Sequence, residues 1–300
     1  MIVSGLSTFV ESADTNHSSV IRKGFLSVTP PTLLALFFVD APFGRFALSK
    51  ESVFSLDGIK SWIFMEVPSP IIFCYALIKA PLLGSEVPPL SGPQLFLAAL
   101  YLLHYANRAL ISPLRTPSRS RSHVSVVFCG ICFNVLNGLM MGTYFRSSIA
   151  HSFLSGAFAR PLFWGGTLLW LAGFFGNLLH DEVLLNIRRN AKMKGKAKDE
   201  DNPAKRGEYY AIPRGYLYQY VSYPNYFCEW LEWLGFALAA APLPPITSFS
   251  AFVQNAQAPW VFVISEVLLM LPRAYKGHQW YLGKFPDYPK ERKAVLPFII

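Results

Sequence analysis

Polar and ionisable side chains recur at helical spacing through the apolar C-terminal part of this chain: Asn177, Asp181 and Arg188, then Asn225, Glu229 and Glu232, then Arg273, His278 and Tyr281. A bilayer tolerates such residues only where they face a protein interior or a wet cavity, so each is a site candidate. Asn177 and Asp181 are four apart and share a helix face, with Arg188 seven further on. That face can hydrogen-bond a ribose and an amide and end at a phosphate. Asn225, Glu229 and Glu232 repeat the pattern at i, i+4 and i+7. Arg273, near His278 and Tyr281 at the end of the last apolar span, can fork onto a phosphate. The plainer alternative is interhelical glue and snorkelling cations. Three sets at successive helix ends favour a polar ligand.

A second constellation lies earlier. Glu66 sits in WIFMEVPSPIIF, where an anion is costly and a neutral acid is favoured. Tyr105, in LLHYANR, carries a phenol that stays protonated at neutral pH. Two such donors converging on a carbonyl stabilise the enolate-like charge that develops when hydride adds to a conjugated double bond. Helix pairing by Glu66 and an interfacial position for Tyr105 explain the same residues without chemistry, and the two readings stay open on this evidence.

These side chains require a scaffold of membrane helices. Of 300 residues, 52% are hydrophobic and 15% charged, and the mean hydropathy is +0.32. This composition predicts an all-α, polytopic membrane protein. Seven apolar spans are expected at about 26–43, 61–83, 94–107, 124–145, 161–181, 226–247 and 256–272. They form one domain over 26–300, after an N-terminal extension of residues 1–25 with no cleavable signal pattern. Of the 27 Lys and Arg residues, only Arg22, Lys23, Lys79, Arg146 and Arg160 fall on one side of a seven-span arrangement. The positive-inside rule therefore places the N-terminus in the lumen and the C-terminus in the cytosol. The same asymmetry explains the net charge of +9 without any nucleic acid. Residues 188–214 form a Lys-rich cytosolic loop, either solvated or closing over an anionic ligand through Arg188 and the Tyr210–Arg214 flank. The Asn16-His17-Ser18 sequon falls on the lumenal side. Cys129 and Cys132 lack the second ligand pair of a metal site; no metal is expected, and buried thiols are. There is no Rossmann or P-loop glycine motif, so a nucleotide would have to be held by side chains. Asp40 and Glu266 fall in or beside apolar spans without an evident role.

The motifs carry a family resemblance. RAYKGHQWYLGKFPDYPKERKAVLPFII, YAIPRGYLYQYVSYPNYFCEWLEWLGFAL, GNLLHDEVLLNIRR, LHYANR, WIFMEVPSP and APFGRF occur in the order of the steroid 5α-reductase family, and the chain resembles it from about residue 37 to the end. The resemblance implies a seven-helix reductase of the endoplasmic reticulum membrane. It would take NADPH from the cytosol and a steroid or other lipid substrate from the bilayer. Glu66 and Tyr105 match the pair that holds the substrate 3-oxo group. Hydride then passes to the β-carbon of the enone and a proton to the α-carbon. Asn177, Asp181, Arg188, Tyr210, Asn225, Glu229, Arg273, His278, Tyr281, Arg108 and Arg119 match positions lining the cofactor cavity.

The chain departs from the pattern at Ala211, where some relatives carry an arginine for which Arg214 would substitute. It departs also at Gly277, where close relatives carry histidine, and in an insertion at 190–207. Competing readings are a trans-2-enoyl-CoA or polyprenol reductase on the same scaffold, a membrane methyltransferase sharing the C-terminal block, and a non-enzymatic lipid-binding or transport protein. Retention of Glu66, Tyr105 and the KAVLPFII ending favours the steroid branch. Nothing in the sequence specifies an oligomeric state.

Overall fold

A computed structural model of the chain describes residues 2–48, 52–83, 87–194 and 209–300, with only the backbone of residues 2–18. The 195–207 part of the expected insertion, and the side chains of Asn16, His17 and Ser18, lie outside the described residues.

The architecture is the expected all-α bundle. Helix α1 spans Ile2–Phe38, α2 Gly58–Glu66, α3 Pro68–Lys79, α4 Gly92–Tyr105, α5 Ser112–Arg115, α6 Val124–Arg146 and α7 Ser148–Leu154. After these come α8 (Pro161–Met193), α9 (Pro224–Ala240), α10 (Phe249–Asn255) and α11 (Ala258–Lys284). Five stretches among the described residues are long and apolar enough to cross a membrane: Gly58–Lys79, Gly92–Arg115, Val124–Arg146, Pro161–Met193 and Ala258–Lys284. The other two expected spans also fall on helices. The first is the C-terminal part of α1, which runs unbroken through residues 25 and 26, and the sixth is the 17-residue α9. Asp40 lies beyond the end of α1 and pairs with Lys276 Nζ at 2.7 Å, so it is not within a span. Cys129 and Cys132 are exposed on α6, against the expectation of buried thiols, whereas Cys228 is buried.

Two local irregularities set the geometry of the interior. Asp57 caps α2 by accepting from the backbone N–H groups of Ile59 (3.1 Å) and Lys60 (2.8 Å). Pro68 has no N–H to extend the ladder, so the span breaks into α2 and α3 directly after Glu66. Following Tyr105, α4 widens into a π-helical turn, Ala106–Ile111, before continuing as α5. Such turns leave backbone carbonyls needing partners and recur at functional sites. Here the Trp62 indole N–H donates to the Arg108 carbonyl at 3.1 Å.

Helices α8 and α9 pack along much of their length. Their backbones approach so closely that a Cβ on Gly173 would lie 2.3 Å from the Glu232 nitrogen and 2.5 Å from the Cys228 carbonyl oxygen. The C-terminal tail then returns along the segment that precedes α9. Lys293 N–H donates to the Tyr220 carbonyl (2.8 Å), Ser222 N–H to Lys293 (2.9 Å) and Tyr223 N–H to Ala294 (3.0 Å). A two-residue antiparallel pairing, β1 (Ser55–Leu56) with β2 (Ser122–His123), ties the α1–α2 connection to the start of α6. Gly173→Leu is expected to force α8 and α9 apart and to destabilise the detergent-solubilised protein by at least roughly 1–3 kcal/mol, read as a lowered thermal midpoint. An unchanged midpoint would contradict the close approach.

Candidate functional site

At the C-terminal end of α4 a partly buried guanidinium joins three helices. Arg108 Nη1 donates to Glu229 Oε2 at 3.0 Å, and its Nε lies 3.4 Å from Glu66 Oε1. Arg108 lies within the π turn, four residues after His104. Asn177 Nδ2 also donates to Glu229 Oε2, at 3.2 Å. His104 Nδ1 hydrogen-bonds Glu232 Oε1 at 2.7 Å, and its Nε2 lies 4.0 Å from Glu229 Oε1. Glu229 and Glu232 are almost wholly buried, and Glu232 Oε2 has no hydrogen-bond partner. An isolated charge here would be very costly, so the acids and bases occur as one connected set.

Tyr105, the next residue along, is held by α6. Asn137 Nδ2 donates to its hydroxyl oxygen at 2.8 Å, and the Tyr105 O–H donates to Asn134 Oδ1 at 3.4 Å. Glu66 and Tyr105, expected from the sequence to act together, are thus supported from different sides: the acid by Arg108, the phenol by α6. Neither lines a cavity wall directly; their neighbours His104 and Arg108 do.

That wall belongs to a cleft that is partly open to solvent. Of the residues predicted from sequence, Asn177, Asp181, Arg188, Tyr210, Asn225, Arg273, Tyr281, Arg108 and Arg119 line it. Asn225 Nδ2 donates to Asp181 Oδ1 at 3.1 Å. Arg119 lies 3.7 Å over the Trp62 ring. Arg273 donates to the Phe43 carbonyl at 3.1 Å and lies 3.5 Å over its ring.

Two predicted residues sit one layer behind. Glu229 supports Arg108 and Asn177, as described. His278 is hydrogen-bonded through Nδ1 to Ser222 Oγ at 2.7 Å, and it is Ser222 that reaches the cleft. Arg214 is exposed and, like Ala211, is not among the residues of the cleft lining.

Arg45, in the quoted APFGRF stretch but given no role, lines the cleft instead. Its guanidinium carbon lies 4.6 Å from the Tyr281 ring centroid, 4.9 Å from Trp280, 5.2 Å from Tyr223 and 5.3 Å from Tyr210. Arg45 Nη1 and the Tyr223 hydroxyl are both buried without a hydrogen-bond partner. The Gly277 departure has a steric cause here, since a Cβ at that position would lie 1.6 Å from the Tyr223 hydroxyl. Sequence reasoning also missed Trp62, His104, Asn134 and Asn137. The two asparagines gave a signal, as amides inside an apolar span.

A second recess, apolar and of about 700 Å³, lies between the end of α1 and α11. Leu36, Val39, Leu269 and Met270 line it, and it shares Phe43, Trp62, Arg108 and Arg273 with the cleft. Asp40 and Lys276 line it too.

Comparison with known proteins identifies relatives over most of the chain. Residues 120–300 match the family model described as 3-oxo-5-alpha-steroid 4-dehydrogenase. An uncharacterized protein of Schizosaccharomyces pombe is 40% identical over 299 residues, covering 95% of this chain and 99% of its own. The 3-oxo-5-alpha-steroid 4-dehydrogenase 1 of Bos taurus is 31% identical over 269 residues, 88% of this chain and 90% of its own. A steroid 5-alpha-reductase of Solanum lycopersicum is 30% identical over 293 residues, 96% and 99%.

The Arg108 set makes a stability prediction independent of any ligand. Arg108→Met leaves Glu229 without its cation and the Glu66 carboxyl without its donor, and is expected to cost about 3–5 kcal/mol. Adding Glu229→Gln to that variant should recover part of the loss, with thermal unfolding as the measurement. If the second change deepened the loss, the pairing would not be the source of the effect.

Proposed function

This chain belongs to the 3-oxo-5-alpha-steroid 4-dehydrogenase family, and we propose that it reduces the conjugated C4–C5 double bond of 3-oxo-Δ4 steroids or related sterols with NADPH. The observation that carries this reading is a cleft walled by Arg45, Arg108, Arg119, Arg188 and Arg273, two of whose lining residues, His104 and Arg108, adjoin the buried Tyr105 and Glu66. Polar and cationic groups at one end and an apolar recess at the other suit a nucleotide and a lipid meeting at Arg108 and Trp62.

The residues present fit a phosphorylated dinucleotide. Arg45 Nη1 and the Tyr223 hydroxyl are buried donors lacking a partner, and unsatisfied groups of this kind are costly unless a ligand takes them up. Arg273, Arg188 and Arg45 would hold phosphates; Asn177, Asp181 and Asn225 would hold amide and ribose groups. NADPH, when bound, supplies a hydride to the β-carbon of the enone.

The chain's own residues orient the substrate and stabilise its charge. Glu66, as the acid, and the Tyr105 hydroxyl donate hydrogen bonds to the 3-oxo oxygen, where negative charge develops. Arg108 fixes the Glu66 carboxyl through Oε1, so that the other oxygen is presented in one orientation. Proton transfer to the α-carbon completes the reduction. The apolar recess beside α1 and α11 gives a flat lipid a route to this point without crossing water. The cleft lining includes Arg188 and Tyr210, which flank the Lys-rich segment on the side expected to carry most of the Lys and Arg residues. By the positive-inside rule that side is cytosolic and the N-terminus lumenal, in an endoplasmic reticulum membrane.

The deciding experiment gives membranes carrying the protein NADPH with either progesterone or a long-chain trans-2-enoyl-CoA, and follows the gain of two hydrogens by mass spectrometry. A reduced steroid is expected. Reduction of the enoyl-CoA alone would move the protein to fatty-acid chemistry and overturn the steroid assignment. Glu66→Gln is expected to lower turnover by roughly 10²–10³ while NADPH binding persists; full turnover would remove Glu66 from the mechanism. Arg273→Ala is expected to weaken NADPH binding by roughly 10- to 100-fold, the value of a hydrogen bond to a charged group. Unchanged affinity would exclude the phosphate contact.

A further inference from the structure

Helix α6 places two amides, Asn134 and Asn137, inside an apolar span. Asn137 is completely buried. Its Nδ2 lies 2.8 Å from the Tyr105 hydroxyl, 3.2 Å from the Tyr101 hydroxyl and 3.2 Å from Ser69 Oγ. The Ser69 and Tyr101 hydroxyls are themselves hydrogen-bonded at 2.7 Å. Interhelical hydrogen bonding alone accounts for a polar residue in such a place. The distances, however, single out Tyr105: the shortest of the three contacts is to its oxygen.

Proton accounting gives that contact a consequence. An NH2 group can only donate, so the Tyr105 oxygen accepts from Asn137, and its own hydrogen must point elsewhere. Among the described residues Asn134 Oδ1 accepts from this hydroxyl at 3.4 Å, and the Tyr101 and Ser69 hydroxyls belong to the same cluster. The separation from Asn134 is well beyond the 2.5–3.0 Å usual for O–H···O bonds. Directed at Asn134, the Tyr105 hydrogen is held on the side away from Asn137 by a weak acceptor that a substrate carbonyl at normal distance would displace. Asn137 Oδ1 is buried without a partner.

We infer that Asn137 is a positioning residue for reduction: by donating to the Tyr105 oxygen it aims the phenolic hydrogen at the substrate carbonyl, with Asn134 as the resting acceptor. This rests on the reading of Tyr105 as a donor to the 3-oxo group. It gives α6, which contributes no residue to the cleft wall, a part in the chemistry.

A double-mutant cycle tests it. Wild type, Tyr105→Phe, Asn137→Leu and the double variant are assayed for steroid reduction at saturating NADPH, with NADPH binding measured separately. Asn137→Leu is expected to lower kcat by on the order of 10- to 100-fold, less than loss of a direct oxyanion donor, with NADPH affinity unchanged. In the Tyr105→Phe background the same change is expected to have no further effect, because the oxygen it acts through is gone. Losses that multiply, or a full kcat in Asn137→Leu, would overturn the positioning role while leaving the Tyr105 reading intact. A fully active Tyr105→Phe would instead overturn that reading and this inference with it. Should the leucine variant fail to bind NADPH, the same cycle is run with Asn137→Ser, which keeps a hydroxyl but is too short to reach Tyr105, and the same outcomes decide.

Discussion

A guanidinium held between two buried carboxyl groups is the constraint on which the rest of this structure depends. Arg108 reaches Glu66 on α2 and Glu229 on α9, and Glu229 is shared with Asn177 on α8. None of these groups would be tolerated alone in an apolar bundle. Each is stable because the others are present, so four helices are fixed relative to one another by one electrostatic requirement. The π turn that carries Arg108 is itself completed from α2, through the Trp62 indole. The residue that balances the acids and the backbone irregularity that presents it therefore depend on the same neighbour.

Steric contacts supply the precision that electrostatics cannot. The glycine-mediated approach of α8 and α9 brings Asn177 within reach of Glu229 and Asp181 within reach of Asn225. A pair of helices held at ordinary spacing would leave these side chains bridged by water or unpaired. At the cleft mouth the returning C-terminal tail fixes Ser222 and Tyr223 by backbone hydrogen bonds. Tyr223 can occupy its place over Arg45 because residue 277 has no side chain. The departure at Gly277 is thus matched by an aromatic ring standing in the same space.

The division between a cation-lined cleft and an apolar recess follows from where the bundle ends. Arginines from the α1–α2 connection, the α4–α6 connection, α8 and α11 converge on one side of the bundle, while the recess between α1 and α11 is walled by leucine, valine and methionine. Both cavities include Trp62 and Arg108, so a ligand in either touches the residues that hold Glu66 in place. In the proposed reaction this shared wall is where hydride donor and enone would meet.

Much of this was readable in the chain before any coordinates. Hydrophobic spans gave the all-α membrane fold, because bilayer thickness sets the length of an apolar helix. Asn177, Asp181, Arg188, Asn225, Arg273 and Tyr281 declared themselves as polar residues in or beside apolar helices, since that placement is expensive unless something uses it. Three features became visible only in three dimensions. Glu66 meets Arg108 across the bundle, a contact between separate helices that the 3.6-residue period of neither one contains. Arg45 enters the cleft from a short connection whose path has no periodicity to read. His278 and Glu229 fall behind the cleft wall although their spacing matches that of residues lining it. Helical spacing determines which residues share a face; how closely that face approaches its neighbours, and hence which member of a set touches a ligand, is decided by the packing of the helices against one another.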